Sequence, residues 1–200
     1  MNAGTGISGS KHDLNMFATM GTADPQGRIC FYCHVPHHAE GDTLAPGALW
    51  DETKNKYFKP YQSQTFDAII VDPLIGPTKI CLSCHDGIIA SDAHPSLKGD
   101  DFGQTGIGVK SDLSNDHPVG LDYQTVFTTR TGYKTPDAKW QDGNGAVTIR
   151  SVLYDGKYLT CATCHDMHNG YNVADANNTY NYFVYSRQSK SSLCLSCHDR

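Results

Sequence analysis

Hydrophobic and polar positions along this 200-residue chain rarely settle into a period. Stretches long enough for an amphipathic helix are scarce. Ala68 to Val71 is a short apolar run that Pro73 ends. Ala146 to Leu159 reads as a hairpin, because Val147, Ile149, Val152 and Tyr154 approach strand alternation and Asp155-Gly156 is a turn signal. Tyr180 to Tyr185 reads as a further strand, and the polar stretch Asn172 to Thr179 as loop. The pattern predicts much loop, a few short strands and little helix outside the cysteine-containing segments.

Those segments change the picture. RICFYCHVPHH, Arg28 to His38, contains a C-x-x-C-H unit at Cys30, Cys33 and His34. The unit recurs at Cys81, Cys84 and His85; at Cys161, Cys164 and His165; and at Cys194, Cys197 and His198. Together the four use all 8 cysteines. C-x-x-C-H is the attachment signature of c-type haem, with two thioether bonds and a proximal histidine on the iron. A zinc ribbon pairs knuckles a short distance apart and needs no histidine after each. A disulfide scaffold would not place every cysteine at this spacing. The motifs therefore predict four covalent haem c groups, each with its iron.

Composition agrees with a chain wrapped around such groups. Hydrophobic residues make up only 38%, and Gly and Pro number 19 and 9. Porphyrin surface would replace part of the apolar side-chain core. The expected fold is therefore a multihaem cytochrome c: mostly loop, short helices at the C-x-x-C-H motifs, a few short strands. A formal charge of -5 argues against a nucleic-acid partner. No apolar run approaches the length of a membrane span. Met1 to Gly6 has neither the charged nor the apolar region of a signal peptide, and thioether attachment takes place outside the cytoplasm. The reading is a mature, exported chain.

The two halves look alike. The first carries His12, then CFYCHVPHH, then ICLSCHDG; the second carries His117, then CATCHDMHNG, then LCLSCHDR. Residues 1–200 read as one tetrahaem domain, divisible into two dihaem units at about 1–100 and 101–200.

Residues three apart on a helix lie on the same side, roughly 5–6 Å between Cβ atoms. His165 and His168 cannot therefore grip one iron from opposite faces, and neither can His34 and His37. The second histidine of each pair would serve another haem. The two rings would then lie almost in contact, close enough for electron conduction. Six histidines remain after the proximal four: His12, His37, His38, His94, His117 and His168. By repeat position His12 pairs with His117, and His37 with His168. These supply four distal ligands and leave His38 and His94 spare. Met16, Met20 and Met167 are the thioether alternatives, which would raise the potential.

KHDLN, ICFYCHVPHH, SNDHPVG, CATCHDMHNG and the terminal LCLSCHD resemble outer-surface multihaem cytochromes, specifically the tetrahaem filament-forming OmcE type. The likeness runs from Lys11 to the last motif and rests on the motifs and their order. It implies bis-histidine ligation throughout, with His12, His37, His117 and His168 as distal ligands. It also implies polymerisation, with one distal histidine donated by an adjacent subunit. His37 has no preceding dihaem unit in its own chain, so a head-to-tail contact that need not close would follow. His38 is the alternative at that position.

The expected function is electron transfer without catalysis, in an extracellular or cell-surface conductive filament built from copies of this chain, between upstream and downstream redox partners. A soluble periplasmic tetrahaem shuttle is the alternative. A multihaem reductase fits less well, since an enzyme needs an iron with an open position and histidines are in surplus.

Overall fold

The computed structural model describes residues 6–10, 12–15, 24–34, 59–85, 112–141, 147–169, 183–186 and 189–199. Among these, the regular elements are short. The α-helices are α1 (Pro77–Cys84), α2 (Tyr123–Thr129), α3 (Ile149–Val152), α4 (Cys161–Cys164) and α5 (Ser192–Leu195). The strands β1 (Leu121–Asp122) and β2 (Tyr158–Leu159) pair antiparallel, with Leu121 opposite Leu159 and Asp122 opposite Tyr158. The remaining backbone is turn, bend and coil, with 3-10 turns at Ile29–Tyr32 and Ser189–Ser191.

The chain divides into two compact units. Unit 1 comprises Met1–Asp13 and Leu121–Arg200; unit 2 comprises Leu14–Gly120. The division thus places His12 with the second half of the sequence and His117 with the first.

Unit 1 is built on an apolar core. Leu121, Tyr123, Val126, Trp140, Ile149, Val152, Leu159 and Val184 are buried, Ile149 completely. Burying such a side chain stabilises by about 1.5–3 kcal/mol. The helices feeding this core start on local caps. The Asp122 carboxylate accepts the Thr125 N–H at 3.1 Å, opening α2, whose Tyr123 and Val126 face inward. Thr148 and Ser151 form a reciprocal capping box on α3: each side chain accepts the other's backbone N–H, at 3.3 and 3.0 Å.

That box corrects the expected hairpin over Ala146 to Leu159. Thr148 and Ser151 turn Ile149–Val152 into one turn of helix, and β2 pairs with β1 instead. The apolar spacing 149, 152 was helical, and the capping pair three residues apart was the missed signal. The Asp155-Gly156 turn does form, with positive φ at both residues and mutual hydrogen bonds between Tyr154 and Tyr158. Of the run Tyr180 to Tyr185, Val184 makes a single bridge to His165, while residues 180–182 lie outside the described residues.

Unit 2 is organised by turns and one longer helix. α1 begins at Gly76-Pro77. Gly76 takes a positive φ of 54°, and proline at the first helical position loses no needed donor. Thr78 and Leu82 are buried on this helix. Lys59 pairs with Asp112: Leu113 N–H donates to Lys59 C=O at 2.8 Å, and the side chains form an exposed ion pair at 3.2 Å. The apolar run Ala68 to Val71 is no core strand. Ile69 and Val71 are exposed, although Val71 N–H donates to Gly120 C=O.

Candidate functional site

Each C-x-x-C-H segment closes on the same backbone bond. The histidine N–H donates to the first cysteine's carbonyl in all four: His34 to Cys30 at 2.9 Å, His85 to Cys81 at 2.7 Å, His165 to Cys161 at 3.1 Å and His198 to Cys194 at 3.0 Å. A single helical turn thus separates the two cysteines and delivers the histidine at its end. No disulfide is formed by Cys30, Cys33, Cys81, Cys161, Cys164, Cys194 or Cys197.

Ahead of the first turn, the Asp24 carboxylate accepts from Arg28 N–H at 2.6 Å and from the guanidinium at 2.9 and 2.7 Å. These bonds from Arg28 hold the Asp24 carboxyl well below its usual range. The second turn ends α1.

In unit 1 the two turns are fastened from outside by matching segments. Asp166 N–H donates to Phe183 C=O at 2.8 Å, and Tyr185 N–H donates to Cys164 C=O at 3.2 Å, placing Val184 opposite His165. At the terminal motif, Asp199 N–H donates to Gly132 C=O at 3.0 Å, and Lys134 N–H donates to Cys197 C=O at 2.8 Å, placing Tyr133 opposite His198. The Tyr133 ring lies 4.9 Å from the His198 ring. Lys134 Nζ also donates to Leu195 C=O at 2.5 Å. The buried Tyr123 hydroxyl donates to Lys134 C=O at 2.9 Å, with Cys197 C=O at 3.3 Å.

Burial decides the state of the second cysteine of each unit 1 motif. It pushes the Cys164 thiol up to about 12, helped by the nearby Cys197, Cys161 and Cys194. It pushes Cys197 up to about 11, against the opposing pull of the Tyr123 hydrogen bond and the Lys134 charge. Both are neutral thiols at neutral pH. Ser186, which follows the segment fastening His165, has its hydroxyl 3.4 Å from that of Ser196 inside the terminal motif.

The expected distal histidines are placed as follows. His12, in unit 1, packs edge-on against Phe183 with ring centroids 5.2 Å apart. Its segment seats on the loop after His165: a Cβ on Gly6 would come within 2.5 Å of the Asn169 carbonyl oxygen. His117, in unit 2, has Nδ1 3.0 Å from Pro118 C=O. Its solvent-facing ring is crowded by neighbouring atoms, and this desolvation lowers its pKa, while the bond to Pro118 acts the other way. Neutral His117 therefore donates from Nδ1 and keeps the Nε2 lone pair available. His168 is exposed; its N–H donates to Asp166 Oδ1 at 2.9 Å, and its Nδ1 lies 3.5 Å from the same oxygen. His37, His38, His94, Met16 and Met20 lie outside the described residues.

The expectation of four haem c groups with their iron centres is corrected by this arrangement. Among the described residues no group of three or more His, Cys, Asp or Glu side chains comes together that could hold a metal ion. The physical reason is visible in unit 1. The thiols there sit in separate turns, each tied to its own backbone segment, while His12 meets the Phe183 ring, His198 the Tyr133 ring and His168 the Asp166 carboxylate. The described side chains offer paired thiols and single donors, and do not form an ion-binding cage. Tyr123, Tyr133, Lys134, Phe183 and Val184 were not legible as site residues, since their roles depend on partners far away in sequence.

No protein-family model, no curated protein and no solved structure matches this chain. Among the described residues no helix is long and apolar enough to cross a membrane.

Proposed function

We propose that the chain is an electron carrier and not an enzyme, with its Cys-x-x-Cys-His turns serving as attachment points for covalently bound redox groups. The recurrence of one turn bond in four segments of differing surroundings carries this reading. A shared local geometry that sets two thiols one turn apart, directly before a histidine, suits a group gripped at two points and approached by a third. The hydroxyl contact between Ser186 and Ser196, at 3.4 Å, links the surroundings of the Cys161–Cys164 and Cys194–Cys197 motifs in unit 1 and supports electron passage between neighbouring groups. His117, whose Nδ1 donates to Pro118 C=O, suits the role of a further donor through Nε2.

The likeness to filament-forming outer-surface cytochromes carries the wider reading: an exported protein that assembles head-to-tail and passes electrons between redox partners along the assembly, with His37 as the contact between copies. The decisive experiment is the intact mass of the chain purified from an exporting host. It should exceed the 21.9 kDa polypeptide by discrete covalent increments, with a visible absorption band that changes on reduction. A mass equal to the bare polypeptide overturns the reading. Electron micrographs of the same material should show filaments; single particles at high concentration would favour the soluble shuttle.

A further inference from the structure

The two fastening segments of unit 1 match in three respects that the sequence does not share. Each accepts, at its first residue, the N–H of the residue after the motif histidine, and donates, at its third, to the carbonyl of the second cysteine. Each sets its middle residue opposite the histidine. Each begins with a residue at positive φ: 85° at Gly132 and 59° at Phe183. A left-handed phenylalanine is a rare conformation, kept where surrounding structure enforces it. Here its carbonyl takes the Asp166 N–H while its ring meets His12.

We propose that Gly132–Tyr133–Lys134 and Phe183–Val184–Tyr185 are equivalent clasps that position the two Cys-x-x-Cys-His turns of unit 1, and that Lys134 is the positioning residue through which the terminal clasp acts. This rests on the attachment reading above. The two bonds of a clasp tie the peptide groups on either side of the histidine. The histidine is then left only its side-chain torsions, which have few staggered choices. Four-residue helices such as α4 and α5 are too short to hold the histidine beyond their ends unaided.

The clasps differ in what they add. The terminal clasp is polar. Lys134 reaches the Leu195 carbonyl as well as the Cys197 carbonyl, and a cation there suits the end of α5. Its Tyr133 ring covers His198. The other clasp is apolar, with Val184 almost fully buried.

The test uses Lys134→Met, Lys134→Arg and Tyr123→Phe in the full exported chain, with two readouts. One is amide hydrogen exchange. The other is peptide-resolved mass spectrometry comparing covalent loading at Cys194–Cys197 with loading at Cys161–Cys164. In Lys134→Met, exchange at residue 134 and Asp199 should rise about tenfold or more, as expected when a charge-assisted bond is lost. Loading at the terminal motif should fall, while Asp166, Tyr185 and the Cys161–Cys164 peptide stay as in the wild type. Arginine should restore both readouts. Tyr123→Phe should give a smaller change at the same amides. Unchanged exchange at 134 and Asp199, equal acceleration at Asp166 and Tyr185, or failure of arginine to rescue overturns the proposal. A wild-type chain bearing no covalent group refutes the attachment reading instead, and exchange at these amides still decides the clasp.

Discussion

The turn at His165 ends a helix of four residues and that at His198 follows one whose last residue is Leu195, whereas the turn at His85 in unit 2 ends a helix of eight. The longer helix carries its own start, with Gly76 turning the chain and Pro77 opening the first turn. The shorter ones are bracketed by segments brought from elsewhere in the chain, although α4 also has a local bond at its start, from Thr160 N–H to Thr163 Oγ1 at 2.9 Å. A helical turn costs conformational entropy before its bonds repay it. Eight residues recover that cost locally; four recover it through tertiary contacts. Similar local geometry is therefore reached by two routes, and the two should fail differently.

The strongest way to separate them is to damage the core of unit 1. Ile149→Ala removes a completely buried side chain and should destabilise by about 2–5 kcal/mol in urea denaturation. Amides at Asp166 and Asp199 should exchange faster, while His85 keeps its protection. Equal loss at His85 would mean that both routes draw on one cooperative core.

The converse change attacks the local start of α1. Gly76→Ala forces a side chain into a positive-φ conformation, at a cost of about 1–3 kcal/mol. Protection at His85 should fall and that at His198 should not. A mutant indistinguishable from wild type in both respects would show that α1 does not depend on its glycine.

Thr148→Ala probes a link between local signal and tertiary support. It deletes one arm of the capping box on α3, a helix that delivers Ile149 to the core. A loss of about 0.5–2 kcal/mol in thermal or chemical melts is expected, with Thr148→Asn recovering most of it. No recovery by asparagine would point to packing of the threonine methyl.

The smallest effect belongs to the exposed turn ahead of Cys30. The folded-state pKa of Asp24 lies below the ordinary 3.8, so its ionised carboxylate favours the folded turn above that pH. The contribution is lost only as pH falls below the ordinary value toward the lowered one. The Arg28 amide should hold its NMR chemical shift from neutral pH down to the ordinary carboxylate range and move only beneath it. A transition centred near 3.8 would show that the pair is not maintained in solution.

The closing bond of the four Cys-x-x-Cys-His turns was legible in the sequence, because it joins residues four apart; in unit 1 the turns are held by distant segments as well. The turn at Asp155-Gly156 was equally local. The scarcity of long elements followed from the absence of sustained periodicity. Alternation misled at Ala146 to Leu159, where a three-residue cap spacing outweighed strand-like residues. The pairing of β1 with β2 was decided only in three dimensions, as were the seating of His12 against Phe183 and the two clasps. Gly132 and Asp199 stand 67 residues apart in the numbering, and no local preference records a bond between them. Such contacts form because a shared apolar core brings distant segments together, and the backbone groups left over in short helices must then find partners there.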